Sequence, residues 1–314
     1  MKAKFGFLNK GEKDFPPMVI LKITNTCNLA CIHCPHRVIS KTKAYTPKHM
    51  GWSLYEKIVQ EVSGYKNTIF RLLSDGEPLC HPKFLDMLRL AKSKGIGPVN
   101  FITNGLLLNE EVALTALELG VETIEISLDA LKKESYERIR VGSNFDLVMS
   151  NVHSLIALKH KMKSRTKVLV SIIDQPEVKP EIDNFVQYWA PKVDKVLVRE
   201  YTTIGGLVKN KGVKKNGHVK RWPCPQLWRR FFINLDGFSE FCVEDWNSQT
   251  AIGNLAVSSI KQIWNSAEYQ NIRRLHLENR FEEVPYCNEC SDWHTRQWGY
   301  DYFYALEQIL GNKC

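Results

Sequence analysis

The segment MVILKITNTCNLACIHCPH, residues 18–36, joins an apolar, β-branched run to three cysteines at spacings of four and three. A short apolar run followed by polar residues reads as a strand buried on both faces, the kind that parallel sheets contain. Five more such runs follow: TIFRLLS (68–74), VNFIT (99–103), TIEISL (123–128), KVLVSII (167–173) and KVLVRE (195–200). Helix-period segments separate them, among them SLYEKIVQEVSGY (53–65), PKFLDMLRLAKSKG (82–95), NEEVALTALELG (109–120) and FDLVMSNVHSLIALKHK (145–161). Several close on the glycine expected just past a helix. Six βα units in series predict a parallel sheet with right-handed crossovers. The expected fold is α/β, a partial (β/α)6 TIM-like barrel over residues 18–204 with its chemistry at the C-terminal strand ends. The three cysteines fall at that rim.

After residue 200 the pattern changes. A basic run, KNKGVKKNGHVKR (209–221), lies in a connector spanning 205–221, and residues 222–314 read as a small α+β domain. Within it WRRFFINLDGFSEFCV (228–243) is a hairpin turning at Asp236-Gly237, and SSIKQIWNSAEYQNIRRLHLEN (258–279) is a helix. SDWHTRQWGYDYFYA (291–305) reads as an amphipathic aromatic helix packed on the core, and residues 1–17 are an N-terminal extension.

Composition narrows the function. The chain has 314 residues, 44% hydrophobic and 25% charged, as expected for a globular protein. The N-terminus lacks the apolar core of a signal peptide, and no apolar run approaches the ~20 residues that span a bilayer. A cytoplasmic protein without a membrane partner is expected. The net charge of +9 is spread over lysines on helix-like segments, without the aromatic-interleaved basic stripe of a nucleic-acid binder.

Nine cysteines in a reducing compartment suggest metal ligands or buried thiols rather than disulfides. Cys27, Cys31 and Cys34 form one group; Cys224, Cys242, Cys287 and Cys290 form another; Cys80, read as a buried thiol, and Cys314 stand alone. Three thiolates at a barrel rim can hold zinc with an open position, or a [4Fe-4S] cluster with one iron free of protein ligands. C-x3-C-x2-C within one loop is cluster-like.

That loop, after the first strand of a βα repeat, resembles the motif of radical S-adenosylmethionine (SAM) enzymes. The resemblance implies that the open iron is chelated by the methionine part of SAM, and that reductive cleavage gives a 5′-deoxyadenosyl radical. Other strand ends agree. SDGEP (74–78) resembles the family's Gly-Gly-Glu-Pro element for the SAM amino group, with Asp75 in place of the first glycine and Gly76 and Glu77 in register. ITNG (102–105), with Thr103 and Asn104, ends the third run. SLDA (127–130), with Ser127 and Asp129, resembles the segment that approaches the ribose. The resemblance places His33 beside the adenine and brings Arg140 toward the cofactor or leaves it on the surface.

The four later cysteines make a complete ligand set for a cluster with no open iron. This region resembles the SPASM/twitch extension of radical SAM enzymes: Gly237-x4-Cys242, IGNL (252–255), SIKQIW (259–264) and a closing C-x2-C. Four cysteines suit the one-cluster twitch form, and spacings of 18, 45 and 3 resemble those of 2-deoxy-scyllo-inosamine dehydrogenase. The implied cofactors are SAM and two [4Fe-4S] clusters, one binding SAM and one auxiliary.

A four-thiolate cluster is suited to take or relay an electron. The resemblance therefore implies an oxidoreductase acting on a secondary alcohol of a sugar, cyclitol or nucleotide sugar. Candidate substrate groups are Arg199 and Glu200 at the sixth strand end, and Glu244 and Asp245 after Cys242. The run 209–221 is either a solvated linker or a flap over an anionic substrate. The competing reading is a peptide or protein maturase, against which stand the 26 residues before Cys27, too few for a leader-binding winged domain. The basic surface suits an acidic electron donor such as flavodoxin or ferredoxin.

Overall fold

The computed structural model describes residues 5–209, 211, 220–299 and 302–311. Most of the run 209–221, and Cys314, lie outside the described residues.

Six strands form where the apolar runs predict them: β1 (Met18–Lys22), β2 (Ile69–Leu73), β3 (Val99–Thr103), β4 (Thr123–Ser127), β5 (Lys167–Asp174) and β6 (Lys195–Glu200). Each pairs in parallel with its neighbour, as right-handed βα crossovers require. The helices cover the outer face. In Trp52–Val62 the buried residues are Tyr55, Ile58, Val59 and Val62, one helical stripe, and the Tyr55 hydroxyl donates to the Met87 carbonyl at 2.7 Å. Gly95 and Gly120, at φ +68° and +64°, follow the ends of the helices Phe84–Ser93 and Glu110–Glu118 in the left-handed conformation that glycine adopts without penalty.

The hairpin forms as β7 (Phe231–Ile233) and β8 (Phe238–Glu240) and gains a third strand, β9 (Ala251–Asn254). It is continuous with the barrel sheet, because β7 pairs in parallel with β1. The strand order is β6-β5-β4-β3-β2-β1-β7-β8-β9. Hydrogen bonds of the main sheet thus place the second cysteine group beside the strand that carries the first.

Two helix expectations need correction. Residues 258–279 form two helices, Ile260–Trp264 and Ala267–Leu277, because Ser266 caps the second by accepting from the Tyr269 amide. Residues 291–305 are not one helix: a single 3-10 turn, Asp292–Thr295, precedes a helix at Tyr302–Leu310. Its Ala305 and Leu306 pack with Met18, Ile20, Ile69, Leu169, Leu197 and Phe232. These residues come from five strands of the sheet, so the helix fills the concave side of the open barrel.

Candidate active site: a cysteine loop, a four-thiol cavity and the cleft between

The cysteine loop is held from three sides. Ala30 and Ile32 amides donate to the carbonyls of Val141 and Ile139 at 2.8 and 2.9 Å, and Asn104 Nδ2 donates to Asn28 Oδ1 at 2.8 Å. On the third side lies Gly76, where an added Cβ would stand 2.1 Å from the Thr26 carbonyl oxygen. Only glycine lets the SDGEP turn lie against the backbone just before Cys27, and the Glu77 amide then donates to Thr26 O at 2.8 Å. Burial pushes the Cys27 and Cys34 thiols up to about 12 and raises Cys31. Three adjoining thiols that resist ionisation need a cationic group to become ligands, which is what an iron-sulfur cluster provides. Cys80 also belongs here: it acts on Cys27 electrostatically and accepts from the Asn28 amide.

The strand-end residues surround this loop. Glu77 is buried; Oε1 accepts from Thr103 Oγ1 at 2.7 Å and Oε2 from the Asn104 amide at 2.8 Å, and burial raises its pKa despite these bonds. Ser127 ends β4. Asp129, at φ +62°, accepts from the Ile173 amide at 3.0 Å and pairs with Arg140, while His33 Nε2 stands 3.5 Å from it. Arg140 is buried, so the surface alternative for it does not hold. Burial opposes its charge, but Asp129 and Cys31 hold it protonated beyond the usual range. Burial lowers His33 to about 4, leaving a neutral ring. Asp75 faces Lys22 at 3.3 Å and is pushed by burial up to about 6.

No three His, Cys, Asp or Glu among the described residues converge on a single-ion position. Cys224, Cys242, Cys287 and Cys290 instead line one small cavity together with Arg221, His276, Tyr286 and Arg296. Burial raises all four thiols, Cys290 to about 11. A cavity lined by four neutral thiols fits a polyatomic cationic group with a closed ligand set.

Between the two groups lies a cleft of about 320 Å³. His33 lines it from the cysteine loop, Arg199, Glu200 and Tyr201 from the end of β6, and Arg230, Arg296 and Gln297 from the later domain. Arg199 is braced by Glu125, which also binds Arg71 at 3.2 Å; the three residues belong to β6, β4 and β2, the alternate-strand layering of barrel interiors. The structure therefore brings Arg199 and Glu200 into one cleft with His33. Glu244 and Asp245 do not line it. Glu244 lies on the four-thiol cavity, paired with Arg296 and raised by burial. Asp245 accepts from the Thr250 amide and hydroxyl at 2.5 and 2.7 Å and from the Asn247 amide at 3.0 Å, a turn-forming arrangement.

Several of these residues escape sequence reading. Lys22 has a detectable signal, a lysine closing a fully buried strand. His276, Arg230 and Arg296 have none, because only the tertiary fold carries them to the cavities.

Comparison with known proteins agrees with this geometry. The radical SAM superfamily pattern matches residues 21–174, and an iron-sulfur cluster-binding domain, SPASM, matches residues 224–291. An uncharacterized protein of Treponema pallidum is 22% identical over 90% of the chain and 80% of its own length. A GTP 3',8-cyclase of Limosilactobacillus fermentum is 26% identical over 71% of the chain, which spans only 60% of that enzyme. Among solved structures, BtrN in complex with AdoMet and 2-DOIA aligns over 91% of this chain and 97% of its own, with a TM-score of 0.62 at 17% identity. Streptococcus suis SuiB bound to precursor peptide SuiA aligns over 94% and 73%, with a TM-score of 0.70 at 13% identity. These likenesses establish the shared fold, and the two domains imply SAM and two [4Fe-4S] clusters as cofactors. No described helix is long and apolar enough to cross a membrane. The chain thus joins a radical SAM domain to a C-terminal SPASM iron-sulfur domain.

Proposed function

We propose that the protein dehydrogenates a secondary alcohol of a small polyhydroxylated substrate, a sugar or cyclitol, in the cleft between the two cysteine groups. One observation carries this reading: Arg296 lines both the cleft and the four-thiol cavity, and His33, next to Cys34, lines the same cleft. A substrate in the cleft therefore touches residues of both cluster sites. When bound, SAM and the first cluster supply a 5′-deoxyadenosyl radical, and the auxiliary cluster supplies an electron acceptor.

Dehydrogenation removes three things from the carbinol: a hydrogen atom from carbon, a proton from oxygen and an electron. With SAM and both clusters bound, 5′-deoxyadenosine would receive the hydrogen atom and the auxiliary cluster the electron, which would leave a ketone. Glu200, exposed at the end of β6, is the group proposed to take the hydroxyl proton. Arg199, braced by Glu125, and Arg296, braced by Glu244, orient hydroxyl oxygens through their guanidinium donors. Neutral His33 lines the cleft, and its buried Nδ1 has no hydrogen-bond partner among the described residues. The cleft volume is at the small end of the range for small-molecule sites, which favours a sugar-sized substrate over an extended peptide. An acidic flavodoxin or ferredoxin is the proposed electron donor.

The test uses candidate aminocyclitols and sugars deuterated at each carbinol carbon. Deuterium appearing in 5′-deoxyadenosine together with the matching ketone supports the reading. Transfer only from a deuterated peptide would overturn it in favour of maturase chemistry, the activity class to which the SuiB likeness points. Cys31→Ala should abolish 5′-deoxyadenosine release, whereas Cys287→Ala should retain release and lose ketone formation.

A further inference from the structure

We infer that His276 donates a hydrogen bond from Nε2 to the auxiliary cluster and thereby sets how easily that cluster accepts an electron. His276 sits on the helix Ala267–Leu277, is 1% exposed, and lines the cavity shared by Cys224, Cys242, Cys287 and Cys290. Its Nδ1 is occupied: the Cys224 amide donates to it at 3.2 Å. A ring nitrogen that accepts carries no proton, so the neutral imidazole bears its hydrogen on Nε2. That N–H has no partner among the described residues although it is fully buried. A buried donor left unpaired is costly, so structures seldom keep one without a use.

The surroundings fix the ring. The Cys224 bond holds one edge, and Phe281 packs against it edge-on with centroids 5.1 Å apart. Arg221 and Arg296 also face the cavity and each has a buried Nε without a partner among the described residues, but their guanidinium groups are otherwise engaged, Arg296 with Glu244 and Arg221 stacked over Phe281 at 4.2 Å, whereas the His276 ring has no further contact for its Nε2. The first bond ties His276 to the backbone of a cysteine ligand, and the second reaches the group those cysteines hold. Metal centres commonly owe their ligand orientation and potential to such outer contacts.

An N–H donor to a cluster sulfur favours the reduced, more negative state. His276→Leu should therefore lower the midpoint potential, by roughly a tenfold change in the reduction equilibrium constant, which for a one-electron couple is about 59 mV. His276→Gln keeps an amide N–H at a similar reach and should restore most of the shift. Both are read by EPR-monitored redox titration in the full chain carrying Cys27, Cys31 and Cys34→Ala, so that only the auxiliary cluster contributes. The inference rests on the four cysteines holding that cluster, which iron content of the same protein checks separately: about four irons per chain are expected, and none would refute the ligand assignment. With the cluster present, an unchanged potential in His276→Leu overturns the role of His276. Should that variant fail to fold, pulsed EPR of protein labelled with 15N-histidine gives the answer: a nitrogen coupling on the reduced cluster supports the bond, and its absence overturns it.

Discussion

Lys22 closes β1 with its ammonium enclosed: Nζ lies 2.8 Å from Glu240 Oε2, 3.3 Å from Asp75 Oδ2 and 2.5 Å from the Asp245 carbonyl. Lys22 and Glu240 side chains are each 1% exposed, so neither charge is repaid by water. Lys22→Met preserves the length of the chain while leaving Glu240 buried without its counter-charge. Breaking a buried pair in this one-sided way costs about 3–5 kcal/mol. At about 2 °C per kcal/mol, the low end for larger domains, the thermal midpoint of the anaerobic holoprotein should fall by roughly 6–10 °C. Adding Glu240→Gln, which keeps an acceptor for Asn234 and Ser248, should recover part of the loss. Burial opposes the charge of Lys22, but Asp75 and Glu240 outweigh it and raise its pKa. Its contribution is thus intact below about pH 10.4 and is lost only as pH climbs through the raised value, so the wild-type midpoint owes no decline between pH 7 and 9 to this group. A drop under about 2 °C for Lys22→Met, with no coupling to Glu240→Gln, would refute the reasoning.

Gly76→Ala forces a Cβ to within 2.1 Å of the Thr26 carbonyl oxygen, a backbone atom that cannot swing away; about 1–3 kcal/mol of stability and most of the SAM affinity should be lost, measurable by thermal scanning and equilibrium dialysis. Asp75, raised by burial to about 6 from an ordinary 3.8, takes up a proton on folding between those values, so its contribution to stability falls as pH rises from about 4 to about 6. Asp75→Asn should flatten that part of the pH–stability curve. Reconstituted wild type should bind about eight irons per chain and Cys224→Ala about four, by colorimetric iron assay; an unchanged content in the variant would remove Cys224 from the ligand set.

The barrel was legible because its strands are buried on both faces and its helices on one, so hydrophobic period alone separates them. All six strands lie within two residues of where the apolar runs put them. Legibility failed where structure depends on partners distant in sequence. The helix 258–279 breaks because the Ser266 side chain finds a backbone donor, and that choice is local enough that a capping residue in mid-helix could have signalled it. The helix Tyr302–Leu310 has no such signal for its site, since only the completed sheet offers the concave surface that Ala305 and Leu306 fill. The same division holds at the site. Cysteine spacing is written in the chain, whereas Glu244 and Asp245, close to Cys242 in sequence, do not line the cleft that Arg230, from before Cys242, and Arg296, from well beyond it, both enter.

The continuity of the sheet bears on how the two cysteine groups could cooperate. Val19, Ile20 and Leu21 are in parallel register with Phe231, Phe232 and Ile233, so β1 and β7 point their C-terminal ends the same way. The loop bearing Cys27, Cys31 and Cys34 leaves the end of β1, whereas β8 runs antiparallel to β7 and carries the chain back toward the start of β7, where Cys242 follows. Lys22 then ties the end of β1 to Glu240 on β8 and to Asp245 beyond Cys242. Backbone pairing and a buried ion pair thus hold the two loops to one frame rather than leaving them on domains free to hinge. An electron transferred between a substrate and a fixed acceptor needs that constancy, because coupling through space decays steeply with separation. Under the proposed dehydrogenation, Lys22→Met should consequently impair electron delivery to the auxiliary cluster more than it impairs SAM cleavage. Counting 5′-deoxyadenosine released per ketone formed reads this directly: a ratio rising above the wild-type value is expected, and an unchanged ratio would separate the ion pair from the coupling of the two sites.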